Sequence, residues 1–276
     1  MKFTKMQGCG NDYVYVDCFS ERVAEPSALS RHIADRHYGV GGDGLILIEP
    51  SERADAFMHM FNADGSEGAM CGNGVRCVAK YLYDHARVPV ERRSVRVDTR
   101  AGVREISFRV EGGKAVDLTV DMGAPRLTSL LPEPIRVGGM ALRFIGVDVG
   151  NPHAVCFLED NAALGAKRVD ELDLPRLGGA FETHPRFPDR VNSEFIDLVS
   201  AREVNFRVWE RGSGETLACG TGAAAAVYAG IRAGKLEREV LVHLAGGDLT
   251  LRYEPEGGHI FLSGEAVEVF GGDYPL

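Results

Sequence analysis

FNADGSEGAMCGNGVRCVAKYLY at residues 61–83 and WERGSGETLACGTGAAAAVYAGI at residues 209–231 are one device written twice. Each sets an aromatic residue ten positions ahead of a cysteine, Phe61 before Cys71 and Trp209 before Cys219. Each then continues through Gly-X-Gly into an apolar run of helical length. The repeat extends outward from these boxes. Gly10-Asn11 leads into the strand-like DYVYV as Gly150-Asn151 leads into PHAVC, and VGGDGLILI at 40–48 is answered by VNSEFIDLV at 191–199, a turn and then a strand. Asn11 lies 60 residues before Cys71, and Asn151 lies 68 before Cys219. Four matches in one order mark an internal duplication, so the 276 residues are expected to form two domains rather than one.

Patterning predicts many short strands in both halves and few helices: Pro26 to Arg36, Gly72 to Ala86, a short turn after Asp160, and Gly220 to Ala233. In the second of these Val75, Val78, Ala79 and Leu82 recur at helical spacing, while Cys77 and Tyr81 make the opposite face apolar too, which predicts a helix buried all round. The four alanines at 223–226 say the same of the last helix, since small side chains let strands approach closely. The expected fold class is α+β: two pseudo-symmetric domains, each a mixed or antiparallel, barrel-like sheet around a central helix. The domains are expected at residues 1–118 and 119–264, and pattern alone does not show to which of them the last strand, Ala266 to Phe270, returns.

A net charge of −9 argues against a general polyanion binder. The one basic run, Arg87, Arg92, Arg93, Arg96, Arg100 and Arg104, alternates with Val95, Val97 and Val103 and reads as a solvated sheet face. The first residues contain no extended apolar stretch of the secretory kind, and the longest uncharged segment, Thr216 to Ile231, is shorter than the ~20 apolar residues of a membrane helix. A cytoplasmic protein is expected, with no nucleic-acid or membrane partner. Its six cysteines read as reduced thiols rather than a disulfide framework. Cys71 and Cys77 lack the further Cys or His pair that a zinc site needs, so no metal is expected. Gly39-X-Gly41-X-X-Gly44 satisfies a dinucleotide pattern in letters only, because it leads into a strand.

A thiol at a helix N-terminus feels the helix dipole and the unpaired N–H groups, both of which favour thiolate. The glycines after each cysteine let a carboxylate approach those N–H groups closely. Two such sites suit removal of a proton alpha to a carboxylate, with a thiolate taking the proton on one face and a thiol returning one on the other. That inverts a stereocentre without a cofactor. His153, in the repeated Gly-Asn box, is a candidate for tuning a cysteine.

GCGNDYVYVD at 8–17, FNADGSEGAMCGNGVRC at 61–77, GNPHAV at 150–155, ETHPRFPDRVNSEF at 182–195 and VWERGSGETLACGTGAAAA at 208–226 together resemble diaminopimelate epimerase, a cofactor-independent isomerase family. The resemblance spans nearly the whole chain. It implies interconversion of LL- and meso-2,6-diaminoheptanedioate in lysine and peptidoglycan precursor synthesis, a duplicated two-domain fold in which a C-terminal strand within 265–276 completes the first domain, and a homodimer. It further implies that Cys71 and Cys219 are the acid–base pair and that Gly72, Asn73, Gly220 and Thr221 bind the reacting carboxylate. Asn11, Asn62, Asn151, Asn192, Glu210 and Arg211 would recognise the amino groups and the distal carboxylate, with His153 and Glu210 tuning the thiols. Some members carry glutamine where this chain has Gly44. Two alternatives remain at this point: an enzyme acting on proline or hydroxyproline, and a binding protein that kept the pocket without the catalysis.

Overall fold

The computed structural model describes residues 1–275, and the chain forms two compact units. The first contains Met1–Asp121 and the stretch from Ser263 onward; the second is Met122–Leu262.

Unit 1 contains β1 (Lys2–Gly8), β2 (Asn11–Asp17), α1 (Pro26–Ile33), β3 (Gly44–Glu49), β4 (Ala56–Asn62), β5 (Glu67–Gly68), α2 (Gly72–Asp84), β6 (Ser94–Asp98), β7 (Arg104–Glu111) and β8 (Lys114–Asp121). Unit 2 contains β9 (Arg126–Leu127), β10 (Glu133–Val137), β11 (Met140–Asp148), β12 (Pro152–Phe157), α3 (Leu174–Glu182), β13 (Asn192–Ser200), β14 (Glu203–Glu210), β15 (Gly214–Glu215), α4 (Gly220–Arg232), β16 (Glu239–Leu244) and β17 (Gly247–Glu254). The chain leaves unit 2 within β18 (His259–Gly264) and ends with β19 (Val267–Asp273), which lies antiparallel to β1.

The pairing pattern repeats. In unit 1, β2 and β3 are parallel, β3 and β4 antiparallel, β4 and β6 parallel, and β6 and β7 antiparallel. In unit 2, β12 and β13 are parallel, β13 and β14 antiparallel, β14 and β16 parallel, and β16 and β17 antiparallel. The register repeats as well: Tyr13 pairs with Gly44 where His153 pairs with Asn192. The architecture is the expected α+β fold.

Each sheet holds one helix on each side, which is why its central strands read as nearly continuous apolar runs. Val14 and Val16 of β2 pack with Leu45, Leu47 and Ile33 of α1, while the intervening Tyr15 is buried near Cys77 of α2. Helix α2 touches β1, β2, β6, β7, β8 and β19, so the sheet of unit 1 curls around it. Helix α4, buried through its alanines, touches β11, β12, β13 and β17. The arginine run behaves as a solvated face: Arg96 is exposed between buried Val95 and Val97, and Arg87, Arg92 and Arg100 pair with Asp17, Asp55 and Glu67.

Helix α3 is the α-helix, among the described residues, that sequence pattern does not predict. Gly178 and Gly179 lower its intrinsic propensity, while Pro175 sits in the first turn, where proline is tolerated. Asp173 caps it by accepting from the Arg176 N–H at 3.4 Å, and Leu174, Leu177 and Phe181 join the core of unit 2. Gly178 is required: a Cβ there would lie 2.3 Å from the Trp209 side chain.

Candidate functional site

Cys71 is the N-cap of α2, with φ −132° and ψ 121°, and its Sγ accepts from the Gly74 N–H at 3.3 Å. A cysteine thus takes the place that Ser or Asp usually fills at a helix start. The N–H groups of Gly72 and Asn73, next in the first turn, have no intrahelical acceptor. Asn11, at the start of β2, stands beside the sulfur, with Oδ1 3.1 Å from Cys71 Sγ. Its Nδ2 donates to Asp43 Oδ2 at 2.7 Å, which fixes the amide orientation. Asn73 is buried and accepts through Oδ1 from Arg76 at 3.0 Å. Asn62 turns the other way, donating to Ser66 Oγ at 3.0 Å within its own turn, while Ser30 of α1 holds its carbonyl at 2.8 Å. Gly44 admits no larger residue on this backbone, because a Cβ would lie 2.0 Å from the Phe61 carbonyl oxygen.

In unit 2, Cys219 caps α4 with φ −129° and ψ 107°, and its Sγ accepts from the Gly222 N–H at 3.4 Å. A chain of side chains leads to it. Glu194 Oε1 meets His153 Nδ1 at 2.7 Å, His153 Nε2 meets Asn151 Oδ1 at 2.9 Å, Asn151 Nδ2 donates to Thr221 Oγ1 at 3.3 Å, and Thr221 Oγ1 lies 3.4 Å from the sulfur. His153 therefore reaches Cys219 through two intermediaries. Glu210 is anchored by Thr216 at 2.5 Å and lies close enough to exchange a hydrogen bond with Cys219. Gly220 opens the first turn of α4 directly after the cap.

Asn192 donates to the Pro152 carbonyl at 3.1 Å and accepts from the Arg211 N–H at 3.0 Å, which ties β13 to the turn after Glu210. The Arg211 guanidinium is exposed and donates to the Asp189 carbonyl at 3.0 Å. Helix α3 braces the same turn through Glu182, which accepts from Trp209 Nε1 at 2.8 Å and the Gly212 N–H at 2.9 Å.

Burial raises the Cys219 thiol well above its ordinary value, and the carboxyls of Glu210 and Glu194 push it further, against Thr221 and the Gly222 N–H. Burial likewise raises Glu210 and Glu194, the latter opposed by His153. Cys219 is thus favoured in its thiol form.

Asp43, Glu194, Thr216, Glu182 and Arg76 escape sequence reasoning. Asp43, Glu194 and Glu182 act through partners distant in the chain, Thr216 acts through Glu210 six residues before it, and the signal of Arg76 is a lone arginine inside a helix predicted to be buried all round. Among the described residues, no group of three or more His, Cys, Asp or Glu could hold a metal, and no helix is long and apolar enough to cross a membrane.

The family model for diaminopimelate epimerase matches residues 3–128 and 145–269. A diaminopimelate epimerase from Agathobacter rectalis is 46% identical over 294 residues, covering 100% of both chains. One from Desulfovibrio desulfuricans is 48% identical over 291 residues, covering 99% of this chain and 98% of its own. Among solved structures, a hydroxyproline epimerase from Agrobacterium vitis superposes with a TM-score of 0.75 at 17% identity, over 99% of this chain and 91% of that one. A phenazine biosynthesis protein from Bacillus anthracis gives 0.73 at 16% identity, over 100% and 99%. These two share the fold.

Proposed function

Because the chain belongs to the diaminopimelate epimerase family, we propose that it interconverts LL- and meso-2,6-diaminoheptanedioate without a cofactor, with Cys71 and Cys219 as its two bases. The observation that carries this reading is the repeated cap: two thiols, each at the start of a buried helix, each receiving a backbone N–H on sulfur.

One cysteine, as thiolate, removes the α-proton; the other, as thiol, returns a proton to the opposite face, and the centre inverts. As the proton leaves, negative charge moves onto the α-carboxylate. The N–H groups of Gly72, Asn73, Gly220 and Thr221 supply preorganised donors for it. The buried environment of Cys219 favours its thiol form, as a donor requires.

Asn11, Asn62, Asn151, Asn192, Glu210 and Arg211 are assigned to the rest of the substrate, the Glu210 carboxyl and the asparagine carbonyls suiting ammonium groups and Arg211 the distal carboxylate. For Asn62 this requires release from Ser66, and for Arg211 release from the Asp189 carbonyl. The protein works in the cytoplasm as a homodimer. Exposed Val269 and Phe270 on β19 give unit 1 an apolar strand that a second copy would cover.

The test is incubation with LL-diaminopimelate in deuterated water, with proline and 4-hydroxyproline as rival substrates. Inversion with deuterium entering the α-position of diaminopimelate alone is expected. Turnover of proline alone would overturn the substrate, and binding without exchange would overturn the catalysis.

A further inference from the structure

Arg76 is the bulkiest wholly buried side chain among the described residues. Buried charges ordinarily find a counter-charge. The Arg76 guanidinium instead donates to neutral acceptors: the Gly72 carbonyl at 3.2 Å, Asn73 Oδ1 at 3.0 Å and the Glu265 carbonyl at 3.3 Å. Its Nε has no partner, and among the described residues no carboxylate is within ion-pair distance.

The side chain folds back along α2, as helical side chains do, and so brings a full positive charge to the first turn that Cys71 caps. Its titratable neighbours are Cys9, Cys77, Cys71 and Tyr15. Tyr15 and Cys77 stay neutral at ordinary pH, since burial lifts the phenol well above its usual value and the Cys77 thiol to about 11. At the equivalent place in α4 stands Ala224, five residues past its cysteine as Arg76 is past Cys71. There the neighbouring groups are the Glu210 and Glu194 carboxyls, with His153 behind them.

We propose that Arg76 is a positioning residue that makes Cys71 the first of the two thiols to ionise, leaving Cys219 as the proton donor of the resting enzyme. This rests on the two-base reading. The Asn11 carbonyl, with Asp43 behind its amide, favours the Cys71 thiol. It is a partial dipole on a half-buried side chain set against the full charge of a wholly buried guanidinium, and the charge prevails. By holding Asn73 Oδ1, Arg76 also fixes the turn whose N–H groups are assigned to the substrate carboxylate.

Iodoacetamide alkylation of the full-length protein across a pH series, read separately at Cys71 and Cys219 by peptide mass spectrometry, tests this without using turnover. The pH midpoint for Cys71 should lie below that for Cys219 in the unaltered protein. In Arg76→Met the Cys71 midpoint should rise by about one pH unit, equivalent to roughly tenfold in ionisation, while that of Cys219 stays, and Arg76→Lys should restore most of the difference. The rising limb of kcat/KM against pH should move with the Cys71 midpoint. A Cys219 midpoint below that of Cys71, or a Cys71 midpoint unmoved in Arg76→Met, overturns the proposal. If Arg76→Met does not fold, the order in the unaltered protein and the Arg76→Lys midpoint still decide. A protein inactive on diaminopimelate that keeps the predicted order supports the role of Arg76 and overturns only the substrate.

Discussion

The two cysteine caps have the same backbone and opposite electrostatics. Both sulfurs end an extended residue, receive the N–H three positions on, and open a helix wrapped by a sheet of the same pairing order. Registering β2 and β3 on β12 and β13 places Tyr13 where the other copy has His153 and Ile46 where it has Glu194. Unit 1 therefore has an apolar strand behind its thiol and a buried cation beside it. Unit 2 has a buried carboxyl–imidazole pair and a second carboxyl. The duplication supplies the scaffold twice, and the side chains of the flanking strands and helix give each thiol its own proton affinity.

If the copies are unlike halves of one reaction, neither can stand in for the other. Cys71→Ala and Cys219→Ala should each lower epimerisation by about 10⁴-fold, the upper range for losing an acid–base group. Each variant should still exchange the α-proton of one stereoisomer with deuterated water, and the two variants should choose opposite isomers. Exchange of the same isomer by both, or turnover by either alone near that of the unaltered enzyme, would break the comparison.

The polar supports behind the thiols should differ next. Glu194 and His153 have fully inaccessible side chains, while the Asp43 side chain behind Asn11 is 39% exposed. Glu194→Gln places a buried amide nitrogen where Glu194 Oε2 already lacks a partner, which should cost about 1–3 kcal/mol and lower turnover about tenfold. Asp43→Asn should cost less than about 1 kcal/mol. Burial holds the Glu194 carboxyl above its ordinary value near 4.5, so the folded form keeps this proton to higher pH than the unfolded one. Its contribution is full below that value and is lost as pH rises through the raised one. Urea unfolding of Glu194→Gln should therefore show a flatter decline above pH 4.5 than the parent; an unchanged slope would remove Glu194 as the source.

Both helix starts were legible because Cys-Gly-X-Gly ahead of an apolar run marks a cap, and the helices begin at Gly72 and Gly220 as expected. Their ends were less so. Helix α2 stops at Asp84, two residues short of expectation, where Ala86 adopts a left-handed φ of 55° that its identity does not announce. Helix α1 ends at Ile33 rather than Arg36 because Gly39 folds back against it, where a Cβ would lie 2.3 Å from the His32 carbonyl. Asn11, Asn151 and His153 stand out within repeated boxes, whereas Thr221 comes only with the family resemblance. Glu194 did not, since β13 is buried on both faces around it and no alternation marks an inward carboxyl. Helix α3 was invisible because packing on Trp209, not propensity, makes it a helix.

The smallest effect belongs to the shared glycine that gives each sulfur its N–H. A Cβ on Gly222 would lie 2.8 Å from Glu194 Oε1, 3.2 Å from Phe206 Cζ and 3.3 Å from Cys219 Sγ. One on Gly74 would meet the Ile46 Cδ1 methyl at 2.9 Å and then nothing closer than 3.4 Å. The Ile46 methyl is the far end of a flexible chain and can rotate, whereas Glu194 is locked to His153 in the buried pair. Replacing glycine by alanine within a helix by itself stabilises by roughly 0.5–1 kcal/mol, while crowding a packed site costs about 1–3 kcal/mol. Gly74→Ala should thus come out near neutral in stability, with turnover within about threefold of the parent, the scale of a cost below ~1 kcal/mol. Gly222→Ala should lose about 1–2 kcal/mol and several-fold in turnover, because the displaced carboxyl disturbs the chain through His153, Asn151 and Thr221 that ends at Cys219. Equal losses at the two glycines would mean that the caps differ only in charge, and that the Glu194 side chain is free to yield.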